Sequence, residues 1–151
     1  MYQNNLKSPQ ISKKISMTKK MIQGECLCRS IQIEMEDDFK YAFYCHCSLC
    51  RRRTGSAFAS IGGIESEKIN VIQGESLLIR EGETADGYRA ICSKCYSPLF
   101  SLLMDRKRTH VNFGALKNEP SRKPDHHIYI DSKASWYEIQ DLLPQYAKLP
   151  N

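Results

Sequence analysis

Seven cysteines fall into three tight groups: Cys26 and Cys28 in "CLC", Cys45, Cys47 and Cys50 in "CHCSLC", and Cys92 and Cys95 in "CSKC". No other feature restricts the fold as strongly. Thiols this close along a chain suit a shared metal ion better than bridges between distant segments. An odd count would also leave one thiol unpaired in a disulfide framework. The N-terminus has no apolar stretch of signal-peptide type, so a reducing compartment and reduced thiols are expected. Seven divides naturally as four plus three: two pairs close one site, and the triplet "CHCSLC" makes a second with an open fourth position. Closed four-ligand zinc sites are structural, whereas catalytic zinc keeps a position for water or substrate. Spacing alone does not say which pairs combine. The first pair can share a metal with part of the triplet. The triplet can also be a second structural site completed by His110, His126 or His127. His46, lying between two ligands, would point away from such a metal and is expected at the surface.

The cysteines must sit at bends. On a regular strand, residues i and i+2 share a face about 6.5–7 Å apart. Two thiolates on one tetrahedral zinc lie about 3.8 Å apart. Cys26-Leu27-Cys28 and Cys45-His46-Cys47 therefore cannot both bind and lie in flat strands, and Gly24 is a natural hinge before the first pair.

The rest of the chain has mostly a period of two. Ile31, Ile33 and Met35 alternate with Gln32, Glu34 and Glu36, which predicts a half-buried strand. "FASIGGI", "INVIQG", "SLLIREG", "GYRAIC", "PLFSLLM", "HVNFG" and "HHIYI" predict further short strands, punctuated by Gly-, Asp- and Pro-rich turns. Short helical turns are expected after Cys50 and near "YEIQDLL". The fold class is thus mainly β and antiparallel, in one domain over 21–151.

Charge is unevenly placed. Of 22 basic residues, Lys7, Lys13, Lys14, Lys19 and Lys20 lie in residues 1–20, which hold no acid; the remainder has 17 basic and 17 acidic residues. Residues 1–20 read as a basic, disordered leader. The neutral body argues against a nucleic-acid partner, since such domains usually carry a basic face. No apolar run reaches the roughly 18–20 residues of a membrane span. A cytoplasmic protein is expected.

The triplet favours a particular chemistry. Three thiolates make a zinc complex formally −1, a weak Lewis acid for water, for which a substrate sulfur is the natural fourth ligand. Arg51, Arg52 and Arg53 follow directly and are candidate carboxylate contacts. Thr54 and Ser56 can cap a helix, Gly55 suits a turn, Phe58 reads as core, and Trp136 reads as core or lid, or alternatively as a pocket-lining aromatic.

The motifs "GECLC" (24–28), "CHCSLCRRRTGSAF" (45–58), "CSKCYSPLF" (92–100), "VNFGAL" (111–116) and "HHIYIDSKASWYEI" (126–139) resemble the glutathione-dependent formaldehyde-activating enzyme family, which also contains centromere protein V. The resemblance implies a β-tent fold and two zincs per chain. The structural zinc falls on Cys26, Cys28, Cys92 and Cys95, and the catalytic zinc on Cys45, Cys47 and Cys50. It implies a carbon–sulfur lyase of S-(hydroxymethyl)glutathione synthase type, with glutathione as small-molecule thiol partner. The centromere member suggests the alternative, a non-catalytic zinc module for protein or nucleic acid. Arg29 and Tyr96 stand where that family usually has glycine.

Overall fold

The computed structural model describes residues 18–150. Most of the leader, and so the expectation of its disorder, lies outside them. Lys19 and Lys20 lie inside and pair with Glu36 and Asp37 at 2.8 and 2.7 Å.

Among the described residues, ten strands make two sheets, and one α-helix lies between the third and fourth strands. β1 (Met21–Glu25), β2 (Gln32–Glu36) and β5 (Ile69–Gln73) form a small antiparallel sheet in the order β1-β2-β5. The larger sheet contains β3 (Tyr41–Cys45), β4 (Ala59–Glu65), β6 (Leu78–Glu81), β7 (Tyr88–Cys92), β8 (Pro98–Leu103), β9 (Arg108–Asn112) and β10 (His127–Ile128). Its order is β10-β3-β4-β9-β8-β7-β6. All pairs are antiparallel except β10 with β3, which is parallel. The mainly β, β-tent class is what the chain adopts.

The alternation in β2 does what it predicts: Ile33 and Met35 are fully buried and their neighbours are not. With Ile22 and Ile31 they pack against Ile64, Phe100 and Val111 of the large sheet, forming the main core. A second, smaller core of Phe43, Cys45, Ala59, Ile61 and Ile128 lies on the opposite face of the large sheet. Central β4 is buried on both faces and needs its glycines for space. A Cβ on Gly62 would stand 2.2 Å from the Phe113 ring.

Three local readings change. β3 is a strand that alternation does not reveal, because "YAFYC" is apolar in succession and covered on both sides. Gly24 is not a hinge. It pairs with Ile33 inside β1, and its missing Cβ admits the Ala115 carbonyl, which a methyl group would meet at 2.9 Å. "YEIQDLL" forms no helix; residues 137–143 run irregularly beside β10. The helix after Cys50 does form, as α1 (Ser48–Thr54), and starts just before that cysteine.

Candidate metal centre

Both groups of thiols assemble. Cys26, Cys28, Cys92 and Cys95 come within 4.8 Å of one another, and so do Cys45, Cys47 and Cys50. The cross-pairing of the first pair with the triplet is thereby excluded. The four-cysteine group sits between two turns of the same design. In the first, Cys26 N–H bonds the Ile31 carbonyl and Arg29 N–H bonds the Cys26 carbonyl; in the second, Cys92 N–H bonds Ser97 and Tyr96 N–H bonds Cys92. Each turn closes through a residue in the left-handed region, Arg29 at φ 60° and Tyr96 at φ 59°. The bend needed by the C-x-C pair is therefore supplied by Arg29, after the cysteines, and not by Gly24. The bulky residues keep the glycine-type geometry at a cost of about 1 kcal/mol each.

The donor chemistry fits a thiophilic metal. Cys26 and Cys28 sulfurs are 3.5 Å apart and Cys28 and Cys92 sulfurs 3.8 Å. These separations match the edge of a tetrahedral thiolate site and far exceed a disulfide bond. Burial pushes the Cys26 thiol up to about 11, while the Ser97 hydroxyl, 3.2 Å from Cys95, brings that thiol down to about 5. Four such thiols, one of them held neutral by burial, become a stable set of thiolates only around a cation. Main-chain donors already point at sulfur, Ile31 N–H at Cys26 and Cys50 N–H at Cys47, both at 3.3 Å.

The triplet is built locally. Cys45 ends β3, Cys47 is the N-cap of α1, and Cys50 lies in its first turn. Cys45 is held below the ordinary thiol range by a hydrogen bond from Cys50, and that contact pushes Cys50 up. Gly55 ends α1 in the left-handed region, as a turn glycine should. Thr54 is not a cap; its hydroxyl donates to the Cys50 carbonyl at 2.9 Å.

Among the described residues no histidine joins either group. His110 bonds the Tyr41 hydroxyl at 2.8 Å, and His126 bonds Asp125 at 2.5 Å. His46 does point away from the thiols, but it is not at the surface. It is 0% exposed, and its Nε2 meets His127 Nδ1 at 2.8 Å. His127, 1% exposed, meets both Asp141 oxygens at 3.1 Å through Nε2. Burial, then the neighbouring His127, lowers His46 to about 4. This chain escaped sequence reasoning because Asp141 lies 14 residues beyond His127 in a segment with no periodicity.

A groove of about 250 Å³ adjoins the triplet. Cys50 and Arg53 of α1 line one side, and Asn112, Ser101 and Arg89 lie along the sheet beneath; Tyr96 lines it too. A broader cleft continues from it past Arg53, Phe58 and Arg29. The three arginines separate by position. Arg53 lines both hollows and makes no ion pair among the described residues. Arg51 has a buried Nε without a partner, and Arg52 is exposed and lines neither hollow. Phe58 packs on Tyr44 and Tyr137 but also faces the cleft. Trp136 is neither core nor lid: it is 72% exposed and lines neither hollow.

Comparisons with known proteins bear on the family and the fold. The sequence model of the glutathione-dependent formaldehyde-activating enzyme family matches residues 21–132. A Halomonas elongata protein named for the same family is 26% identical over 130 residues, covering 80% of this chain and 82% of the relative. A crystal structure of a Rhodobacter sphaeroides protein superposes with a TM-score of 0.54 at 24% identity, covering 68% of this chain and 97% of its own; it supports the fold. No helix among the described residues is long and apolar enough to cross a membrane. The family match spans most of the chain, and the chain belongs to the glutathione-dependent formaldehyde-activating enzyme family.

Proposed function

We propose that this chain is a zinc-dependent carbon–sulfur lyase that joins a glutathione-type thiol to formaldehyde and cleaves the same adduct in reverse. One observation carries the reading: Cys50, in a group of three thiols, opens onto a groove whose rim holds the unpaired Arg53. On this reading Cys26, Cys28, Cys92 and Cys95 hold a structural zinc. Cys45, Cys47 and Cys50 would hold the second, with a substrate sulfur able to join them as a further ligand. Zinc bound there would keep a substrate thiol ionised at neutral pH.

The chain's own residues do the rest. Arg53 offers a guanidinium fork to a substrate carboxylate, which fixes the thiol's approach to the triplet. Asn112 and Ser101 on the sheet offer polar contacts to the peptide portion. In the forward direction the thiolate sulfur forms a bond to the aldehyde carbon. The carbonyl π pair moves to oxygen, which takes up the proton lost by the thiol. Reversal breaks the carbon–sulfur bond and returns that proton. Catalysis comes from holding two reactants together in the groove.

The test is NMR exchange spectroscopy on glutathione, formaldehyde and their adduct with the purified, zinc-loaded chain. Exchange faster than the uncatalysed rate, lost in Cys45→Ser, supports the reading. Exchange no faster than the buffer rate rejects this substrate pair.

A further inference from the structure

Tyr96 is costly where it stands. Its backbone is held at φ 59° by the turn around Cys92 and Cys95, a conformation that glycine adopts freely and a tyrosine does not. The residue is 72% exposed, so burial returns little. Among the described residues it makes no side-chain hydrogen bond and stacks on no other ring. Arg29, in the equivalent place on the first turn, has at least an ion pair with Glu25 at 3.5 Å. Retained backbone strain next to a cavity points to a use for the side chain. The cavity is specific: although Tyr96 belongs to the four-cysteine turn, it lines the groove of the three-cysteine group with Cys50 and Arg53.

We propose that Tyr96 is a specificity-determining residue whose ring lies against the peptide portion of the bound thiol. This rests on the reading of the groove as a thiol site. With sulfur at the Cys50 end and a carboxylate at Arg53, the remaining amide planes of a tripeptide thiol run past Tyr96. An aromatic face covers such planes well, and a ligand there would shield the exposed ring from water. A thiol of single-residue size lacks the amide planes that would cover the ring. Tyr96 therefore selects peptide-length, carboxylate-bearing thiols over small ones.

S-Methylglutathione and S-methylcysteine test this, because neither can offer a free thiolate to a metal. Each is titrated by NMR into the zinc-loaded full chain and into Tyr96→Phe, Tyr96→Ala and Tyr96→Gly. The expected result is a loss of S-methylglutathione affinity of about fivefold in both the Ala and Gly variants, and less than about twofold in the Phe variant. S-Methylcysteine binding should be equal in all four. Only the Gly variant relieves the backbone, so its melting temperature should exceed that of the Ala variant by a few degrees. Equal loss in the two variants despite different stabilities assigns the effect to the ring. S-Methylglutathione binding as tight in Tyr96→Gly and Tyr96→Ala as in the parent overturns the role of Tyr96 and leaves the thiol groove standing. Failure of the parent chain to bind either S-methylglutathione or free glutathione overturns the groove reading, and the Tyr96 assignment with it; where free glutathione alone binds, the same four chains are compared with it and the same outcomes apply.

Discussion

The two thiol groups are built on opposite principles. The four-cysteine group joins residues far apart in sequence: Cys28 and Cys92, 64 positions apart, meet at 3.8 Å. One pair follows β1 of the small sheet and the other ends β7 of the large one, so the group bridges the sheets. The three-cysteine group is contained in one strand end and the first turn of α1, and Cys47 already caps that helix through its sulfur. A metal in the first must hold a long loop closed. A metal in the second finds its ligands arranged by local backbone. The same element would thus be a fold determinant in one place and a chemical reagent in the other.

The largest expected effect tests this contrast directly. Cys92→Ser should abolish the cooperative thermal transition followed by circular dichroism. By analogy with a disulfide, closing a loop of this length is worth about 4 kcal/mol, before the loss of metal affinity is added. Cys45→Ser should keep its transition within a few degrees of the parent while metal analysis falls from two zincs per chain to one. Equal collapse of both variants would erase the distinction. Next in size, Arg53→Ala should raise KM for the thiol about tenfold, the loss of one charge-assisted hydrogen bond, with kcat and melting temperature little changed. Arg52→Ala, whose side chain lines neither hollow, should leave KM unaltered.

The smallest effect lies on the same sheet away from the thiols. Burial, reinforced by Arg108, lowers His110 to about 4. Its ordinary value is about 6.5, so the unfolded chain takes up a proton over this interval while the folded one does not. The sign follows: His110 costs no stability above pH 7 and destabilises the fold as pH falls from about 6.5 toward 4. His110→Gln should therefore gain about 1 kcal/mol relative to the parent when denaturant midpoints at pH 7.5 and 5.5 are compared. Acid sensitivity that persists unchanged in this variant belongs to other groups, the buried His46 and the thiols among them.

Much of this was legible in the residues. The alternation around Ile33 and Met35 marked β2, and cysteine spacing marked the bends. What resisted reading has a common cause. β3 is covered on both faces, so it shows no period. Gly24 serves a close approach from Ala115, a contact made 91 positions away and invisible locally. The separation of Arg53 from Arg51 and Arg52 depends on how α1 lies over the sheet. His46 is buried, against the expectation of a surface position, because its partners, His127 and Asp141, reach it only through the parallel pairing of β10 with β3 and the irregular segment beyond.

That segment bears on where this domain ends. The family match stops at residue 132, and past it there is hardly any regular structure to suggest that the chain is still needed. Yet the carbonyls of Pro144, Tyr146 and Lys148 receive the N–H groups of His127, Ile130 and Tyr129, and the Asp141 carboxylate anchors two buried imidazoles. A fragment cut at 132 would expose the outer edge of β10 and strip the acceptor from His127, one residue pair away from Cys45. Beyond the family match the chain still pairs with β10, in parallel at His127 and Gln145 and through the main-chain bonds of residues 144–148.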